Sequence, residues 1–177
     1  TIFSPLISSL LFLLVLSLAI GADRGDVLGV PFITFLAPGL ISMQVIQQAF
    51  SHSSSSFMIG KIQGNIVDLL YAPLSATEVT ISVALAAVTR SVIIAIVSII
   101  VFKFILDIKI TNYLLLIIFT LLSSFILGNI GIIAGLWAEK FDHMATVTNF
   151  VIVPLSFLSG TFYSIERLPD FLQAVSK

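Results

Sequence analysis

Five long hydrophobic runs, almost free of charge, constrain the fold of this chain more than any other feature. They cover approximately residues 2–21, 31–50, 81–104, 113–136 and 145–164. A helix needs about 20 apolar residues to cross the hydrocarbon core of a bilayer. Lipid offers the backbone no hydrogen-bond partner, so continuous runs of this length must be helical. In the strands of a membrane barrel, apolar residues would instead alternate with polar residues at every second position. The runs therefore predict an all-α fold, a polytopic transmembrane helical bundle with five spans.

The composition supports an integral membrane protein in the lipid bilayer. The 177 residues are 58% hydrophobic and 10% charged, with a mean hydropathy of +1.17, whereas soluble domains carry roughly 25% charged residues. A water-soluble fold of this size has too little interior for so much apolar surface. A net charge of −1 provides no field that would attract nucleic acid. The absence of Cys excludes disulfides, Cys-based zinc sites and a Cys nucleophile.

The long segment between the second and third runs, residues 51–80, predicts a structure of its own. Ser53–Ser56 can cap the start of a helix. The apolar residues that follow share one helical face; they are Ile62, Ile66, Leu69 and Leu70. Tyr71-Ala72-Pro73 ends this helix, and Ser75 to Glu78 has the pattern of a capping sequence for the next span. We therefore expect an amphipathic helix along the membrane surface.

Several motifs occur in a fixed order along the chain. The most informative is Pro154 to Pro169, PLSFLSGTFYSIERLP. The others are Ser4-Pro5-Leu6, Phe35-Leu36-Ala37-Pro38-Gly39-Leu40, Asp68-Leu69-Leu70-Tyr71-Ala72-Pro73-Leu74-Ser75 and Gly135-Leu136-Trp137-Ala138-Glu139. Together they resemble the membrane (permease) subunit of bacterial type-2 ATP-binding-cassette exporters. The resemblance covers nearly the whole chain.

The resemblance implies a single permease domain over residues 1–177, in the bacterial inner membrane. It implies five spans present out of six, so we interpret the chain as a fragment that lacks an N-terminal leader and the last span. It also implies a cytoplasmic ATP-binding subunit and a second copy of the permease as partners. The sequence contains no Gly-x-x-x-x-Gly-Lys-(Ser/Thr) phosphate loop. We therefore expect no enzyme activity and no cofactor in this chain, with ATP and magnesium bound by the partner ATPase.

The resemblance implies a cytoplasmic N-terminus, with loops 51–80 and 137–144 facing inward. Lys and Arg normally accumulate in the cytoplasmic loops, but here more of them lie in the segments assigned to the outside. The inward loops hold Lys61 and Lys140, whereas the outward segments hold Arg24, Lys103, Lys109, Arg167 and Lys177. We follow the motifs. Because the chain has no Cys, single Cys residues at positions 63 and 109 can be labelled from each side, and cytoplasmic labelling at 109 would contradict this topology.

The resemblance assigns contact with the ATPase subunit to the loop before the third span. The residues concerned are Asp68, Tyr71, Pro73, Ser75 and Glu78. A short rigid helix with a polar rim can transmit force as a lever. The alternative is a plain interfacial helix without a partner.

Arg90 is the one charge deep inside a span. Intramembrane charges usually face a bundle interior or an aqueous path, so Arg90 is a candidate lining or gating residue of the translocation path. The alternative is that its side chain snorkels to the cytoplasmic interface. Gly128, Gly131 and Gly135 in the fourth run predict close helix packing.

The last motif predicts a re-entrant turn outside the membrane. Its residues are Ser159, Gly160, Phe162, Glu166 and Pro169. A membrane helix loses its register at a glycine, places aromatic rings at the headgroup level and turns at a proline. We expect this turn to close the outer exit of the path through its shape.

Two other classes of function remain open at this point. An intramembrane enzyme would need a paired nucleophile and base in mid-span, and no Gly-x-Ser-x-Gly elbow is present. A non-transporting assembly or scaffold protein would share the composition but would not need the loop motif at Asp68 to Ser75. The two histidines, His52 and His143, lie far apart in sequence and do not predict a metal site.

Overall fold

The computed structural model describes residues 3–20, 31–106 and 112–158, and within these ranges every regular element is a helix. The elements are α1 (Phe3–Ile20), α2 (Phe32–Gln63), α3 (Ile66–Tyr71), α4 (Ala76–Leu106), α5 (Tyr113–Trp137), α6 (Phe141–Val147), a π-helical turn (Thr148–Ile152) and α7 (Val153–Leu158). The predicted helical fold is confirmed.

Within the described ranges, three helices are long and apolar enough to cross a membrane, and they confirm the second, third and fourth predicted spans. They are α2, α4 and α5, with 32, 31 and 25 residues. The first run forms α1, and residues 141–158 of the last run form a continuous helical segment through α6, the π-helical turn and α7. Whether these two also span the bilayer stays a prediction.

The direction of each helix follows from its side-chain contacts with α2. Gln44 bonds to Ser98 and His52 to Arg90, so the numbers rise on α2 as they fall on α4 and the two helices are antiparallel. Gly131 of α5 lies against Phe50 of α2, and Gly135, one turn later, lies against Ser54. The numbers rise together on both helices, so α2 and α5 run parallel. The ends of α2 and α5 and the start of α4 therefore lie at the same end of the bundle.

The contact between α2 and α5 confirms the predicted glycine packing. A Cβ built on Gly131 would lie 2.5 Å from the carbonyl oxygen of Phe50, and one on Gly135 would lie 2.7 Å from that of Ser54. Only a residue without a Cβ lets the two backbones come this close. Around this contact a buried apolar cluster joins α2, α5, α6 and the π-helical turn; its larger members are Phe50, Met58, Leu127, Met144 and Ile152.

The prediction that a new helix starts at Ser53–Ser56 is wrong, because the helix of the second run continues past residue 50 to Gln63. Ser53–Ser56 do not cap a new helix. The hydroxyls of Ser54, Ser55 and Ser56 donate to carbonyl oxygens of the preceding turn of α2, which satisfies them without ending the helix. The helix ends where Gly64 adopts a left-handed conformation with φ of 76°.

The predicted amphipathic helix is consequently divided. Ile62 is the second-last residue of α2, and the chain re-enters a helix only at Ile66, the start of the six-residue α3. The left-handed Gly64 lies between them and changes the direction of the chain, so these two residues do not share a continuous helical face. That α3 lies along the membrane surface stays a prediction.

Proline explains the irregular helix at the end of the described chain. The π-helical turn Thr148–Ile152 lies directly before α7, whose second residue is Pro154. Proline has no N–H group and its ring clashes with the carbonyl four residues earlier, so regular α-helical bonding cannot continue through it. A π-helical turn is a known site of helix bending.

Three buried serines allow a test of the polar packing. The hydroxyls of Ser124 and Ser53 have no hydrogen-bond partner in the described part of the chain, whereas the hydroxyl of Ser91, equally buried, donates to the carbonyl of Ala87 at 2.9 Å. We expect Ser124→Ala to be more favourable than Ser91→Ala by about 1 kcal/mol, because only the second loses a hydrogen bond. Both changes gain the same helix propensity, so the difference in free energy of unfolding in detergent isolates the hydroxyl. Equal effects would contradict the expectation.

Candidate functional site

A cavity of about 510 Å³ lies between α1, α2, α4 and α7. We call it the polar cavity. Its lining includes Ser4, Pro5, Ser8, Ser9 and Phe12 of α1, Leu40, Met43, Gln44, Gln47, Gln48 and Ser51 of α2, Arg90 of α4 and Phe157 of α7. Among these residues Arg90 carries the only charge.

The polarity of the lining changes along α2. The first lining residues are Leu40 and Met43, and Phe12 of α1 is an apolar neighbour in the same wall. The last are Gln47, Gln48 and Ser51. From Leu40 to Ser51 the wall is about 16 Å long at 1.5 Å per residue. The cavity thus has an apolar end and a polar end.

Arg90 lies near the middle of α4, about 21 Å from the start of that helix at 1.5 Å per residue. Its half-buried side chain points toward α2, where one Nη1 lies 3.1 Å from Nδ1 of His52. A guanidinium can only donate, so Nδ1 of His52 accepts and the ring proton is on Nε2. The contact therefore pairs a charged group with a neutral one, and no carboxylate of the described residues pairs with Arg90.

Gln44 links three helices at the wall of the cavity. Its Nε2 donates to the carbonyl of Pro5 in α1, and its Oε1 accepts from Ser98 of α4 at 3.1 Å. The side-chain amides of Gln47 and Gln48 differ from that of Gln44. Both are half-buried, and within residues 3–20, 31–106 and 112–158 neither makes a hydrogen bond. Both residues line the polar cavity, and their amide atoms are not among the buried polar atoms without a partner.

A second surface lies at the end of the bundle where α2 and α5 end. α3 and the turn to α4 project from it, and we call residues 66–78 the projecting segment. Four of its apolar side chains are exposed: Val67 by 47%, Leu69 by 37%, Tyr71 by 85% and Leu74 by 52%. The carboxylates of Asp68 and Glu78 are exposed beside them.

Reciprocal hydrogen bonds hold the start of α4. The backbone N–H of Ser75 donates to Oε2 of Glu78 at 2.7 Å, and the N–H of Glu78 donates back to the hydroxyl of Ser75 at 3.3 Å. This is a capping box, as the sequence predicts. Tyr71 and Pro73 lie exposed on the same segment. The structure therefore gathers Asp68, Tyr71, Pro73, Ser75 and Glu78 on one short projecting segment.

Lys61 joins the ends of α2 and α5 beside this segment. Its Nζ donates to the carbonyl of Leu136 and, at 2.9 Å, to the carbonyl of Ala138. The last carbonyls of a helix have no partner in that helix, and a cation there is favoured by the helix dipole. The contact fixes the end of α2 directly before Gly64 and the projecting segment.

The predicted outer turn, Ser159, Gly160, Phe162, Glu166 and Pro169, lies outside the described residues. Over the described ranges, no group of three His, Cys, Asp or Glu side chains could hold a metal ion. Arg90 and the projecting segment lie about 18 Å apart along α4, from Glu78 to Arg90 at 1.5 Å per residue.

The glutamines of α2 are not predicted from the sequence as candidate site residues, and neither are the contacts of His52 and Lys61. Gln44, Gln47 and Gln48 stand at positions i, i+3 and i+4 of an apolar run, so they share one helical face. Because amides carry no charge, they do not interrupt the run. Their spacing was the one sequence feature that could have indicated a polar face on this helix. Nothing in the sequence indicates that Lys61 reaches the end of α5. Its two partners there, Leu136 and Ala138, lie 75 and 77 positions further along the chain.

Comparisons with known proteins agree on one family. The profile of the ABC-2 type transporter family matches residues 1–177. The inner membrane transport permease YadH of Escherichia coli strain K12 is 31% identical over 176 residues, which cover 99% of this chain and 69% of the relative. The YadH proteins of Escherichia coli O157:H7 and Shigella flexneri match with the same identity and coverage. No solved structure matches the chain.

Proposed function

The chain belongs to the ABC-2 type transporter family, and we propose that it is the membrane-spanning subunit of an exporter driven by a separate ATP-binding subunit. The inner membrane transport permeases that it resembles support a multi-pass location in the bacterial inner membrane. In this proposal the chain catalyses no reaction itself. It converts the closure of the ATP-binding subunit into a rearrangement of its helices.

The observation that carries the proposal is the projecting segment. Tyr71 is 85% exposed and lies among other exposed apolar side chains, between the carboxylates of Asp68 and Glu78. Apolar side chains exposed in a cluster with a polar rim are typical of a protein interface, and tyrosine is often a dominant contact there. We assign this surface to the cytoplasmic ATP-binding subunit.

The position of the segment suggests how force reaches the bundle. The projecting segment connects α2, which supplies Gln44, Gln47, Gln48 and Ser51 to the wall of the cavity, to α4, which supplies Arg90. The capping box of Ser75 and Glu78 makes the start of α4 rigid, and Lys61 fixes the end of α2. A push on α3 therefore reaches both walls of the polar cavity through rigid helices. We propose that this cavity, with Arg90, lies on the translocation path.

Two further parts of the proposal rest on the family resemblance. We propose that two copies of the permease assemble, as the resemblance implies. We also propose that Ser159, Gly160, Phe162, Glu166 and Pro169 form an outer re-entrant turn that closes the exit of the path. The alternative function is a non-transporting assembly or scaffold protein. It predicts a stable membrane protein that never associates with an ATPase.

The proposed coupling is tested by Tyr71→Ala and Glu78→Lys. We expect each to weaken association with the ATP-binding subunit at least about tenfold, which is about 1.4 kcal/mol, because a contact tyrosine or a reversed charge acts at the centre of the interface. A candidate ATP-binding subunit from the same genome is co-expressed and co-purified with the tagged full chain, and its stimulated ATP hydrolysis is measured in proteoliposomes.

Tyr113→Ala is the matched control. Tyr113 is also exposed, by 58%, but it begins α5 at the opposite end of the bundle. We expect it to leave association and stimulated hydrolysis unchanged. Full stimulation by the Tyr71→Ala and Glu78→Lys proteins would contradict the assignment of the surface. A wild-type chain that binds no ATPase at all would instead favour the scaffold alternative.

A further inference from the structure

We infer that the polar cavity binds the anionic headgroup of an amphiphile, with the headgroup at Arg90 and the apolar part toward Leu40, Met43 and Phe12. The inference rests on the proposed function in one respect, since it names the chemical class of the cargo for the cavity assigned to the path. Binding itself is an equilibrium property of the chain and requires no ATP. It can therefore be measured apart from transport.

The charge of the cavity selects an anion. Arg90 is the only charged residue among those described in the lining. Its single hydrogen bond is to the neutral ring of His52. A guanidinium carries five N–H donors in a rigid fork that fits phosphate or carboxylate oxygens in pairs, and its other donors make no hydrogen bond within the described chain. A positive charge at this depth is costly unless an anion or water compensates it.

The amides beside Arg90 add a second reason. The side-chain amides of Gln47 and Gln48 face the cavity without a partner in the described ranges. Both side chains are half-buried, and their amide atoms are not among the buried polar atoms without a partner, so an occupant of the cavity can reach them. An oxygen-rich headgroup supplies acceptors for their N–H groups and for the guanidinium at the same time. By contrast, Gln44 is occupied by Pro5 and Ser98 and acts as part of the wall.

The change in polarity along α2 selects an amphiphile over a small soluble anion. The lining runs from Leu40 and Met43 at one end to Gln48 and Ser51 at the other. This length, about 16 Å at 1.5 Å per residue, exceeds the size of a phosphate ion, and the volume of about 510 Å³ leaves space for more than the headgroup. An ion alone would leave the apolar end in contact with water.

The test measures binding to the purified full chain in a neutral detergent, without the ATP-binding subunit. The probes are phosphatidic acid, diacylglycerol with the same acyl chains, and inorganic phosphate. We expect phosphatidic acid to bind and to raise the midpoint of thermal unfolding. Diacylglycerol, which lacks the anionic group, is expected to bind at least tenfold more weakly, and so is inorganic phosphate, which lacks the apolar part.

The variants locate the site. We expect Arg90→Gln to weaken the binding of phosphatidic acid at least tenfold, with partial recovery in Arg90→Lys, which keeps the charge but loses the fork. Lys140→Gln removes an exposed cation that is not part of the cavity lining and is expected to change nothing. If Arg90→Gln does not fold, the double variant Gln47→Leu and Gln48→Leu replaces it, with the same expected loss.

Two results would overturn the inference. One is equal affinity for phosphatidic acid in the wild type and in the variants of the polar cavity, which would place the lipid elsewhere on the protein. The other is equal affinity for phosphatidic acid and either partial probe. Equal binding of diacylglycerol would show that the anionic group does not contribute, and equal binding of inorganic phosphate would show that the apolar part does not contribute. Failure of the proposed function looks different. In that case the ATP-binding subunit does not associate, whatever the lipid-binding result.

Discussion

Gly131→Ala is expected to destabilise the protein by at least about 2 kcal/mol, a large effect for the addition of one methyl group. The new Cβ would lie 2.5 Å from the carbonyl oxygen of Phe50 and 3.1 Å from Cβ of Ser53. A backbone oxygen inside a helix cannot turn away as a side chain can. The whole of α5 must therefore move away from α2, and the cluster around Phe50 and Leu127 loses its close packing. The measurement is the midpoint of thermal unfolding in detergent.

The other glycines supply an internal scale for this experiment. Gly135→Ala should act in the same way as Gly131→Ala, since its Cβ would lie 2.7 Å from the carbonyl oxygen of Ser54. Gly128→Ala should cost little, because its nearest neighbour is the methyl group of Ala87 at 3.4 Å. Gly60→Ala in α2 meets nothing within 4 Å and should stabilise slightly, by about 0.5–1 kcal/mol from helix propensity.

The order of these four effects carries the test. If Gly131→Ala and Gly60→Ala gave equal midpoints, the close approach of α2 and α5 would not exist in the folded protein. A large loss at Gly128 without one at Gly131 would contradict the observed register of the two helices in the same way.

Lys61→Met is expected to destabilise the protein by about 1–2 kcal/mol, at the lower part of the range for hydrogen bonds to charged groups because the site is only half-buried. Methionine keeps most of the apolar stem but cannot donate to the carbonyls of Leu136 and Ala138. Two carbonyls at the end of α5 then lose their partner, together with the favourable position of a cation at a helix C-terminus.

The location of this effect can be measured as well as its size. Hydrogen exchange should accelerate at the end of α5 and around Gly64, and leave the first half of α2 unchanged. Lys61→Arg should recover part of the stability, because it restores a cation with N–H donors. Lys140→Met is the control, since Lys140 is exposed and no side-chain hydrogen bond to it is present in the described chain. Equal losses for Lys61→Met and Lys140→Met would contradict the role of Lys61.

The helices could be predicted from the sequence for a simple physical reason. A charge-free run that is long enough to cross a bilayer must satisfy its backbone internally, so α2, α4 and α5 were fixed by composition and length. The capping box at Ser75 and Glu78 was equally predictable, because its bonds join residues three apart. Gly131 was recognised for its spacing with Gly128 and Gly135.

The end of α2 was misplaced because two local rules competed. Four consecutive serines, Ser53–Ser56, favour a helix start in water. Packed against α4 and α5, Ser53 and Ser54 are buried, and the hydroxyl of Ser54 bonds back to its own helix. The tertiary environment therefore decided which local preference applied. The left-handed Gly64 ends α2 one residue after Gln63.

The candidate site divides along the same line. The sequence alone determined that the chain is a bundle of membrane helices with one deep charge, Arg90, and a motif-bearing loop before α4, because these follow from hydropathy and from neighbours along the chain. Only the tertiary structure decided that Arg90 faces His52 and the glutamines of α2, and that Lys61 holds the end of α5. Those contacts join residues 38 to 77 positions apart, and their partners depend on the register between helices, which no local pattern encodes.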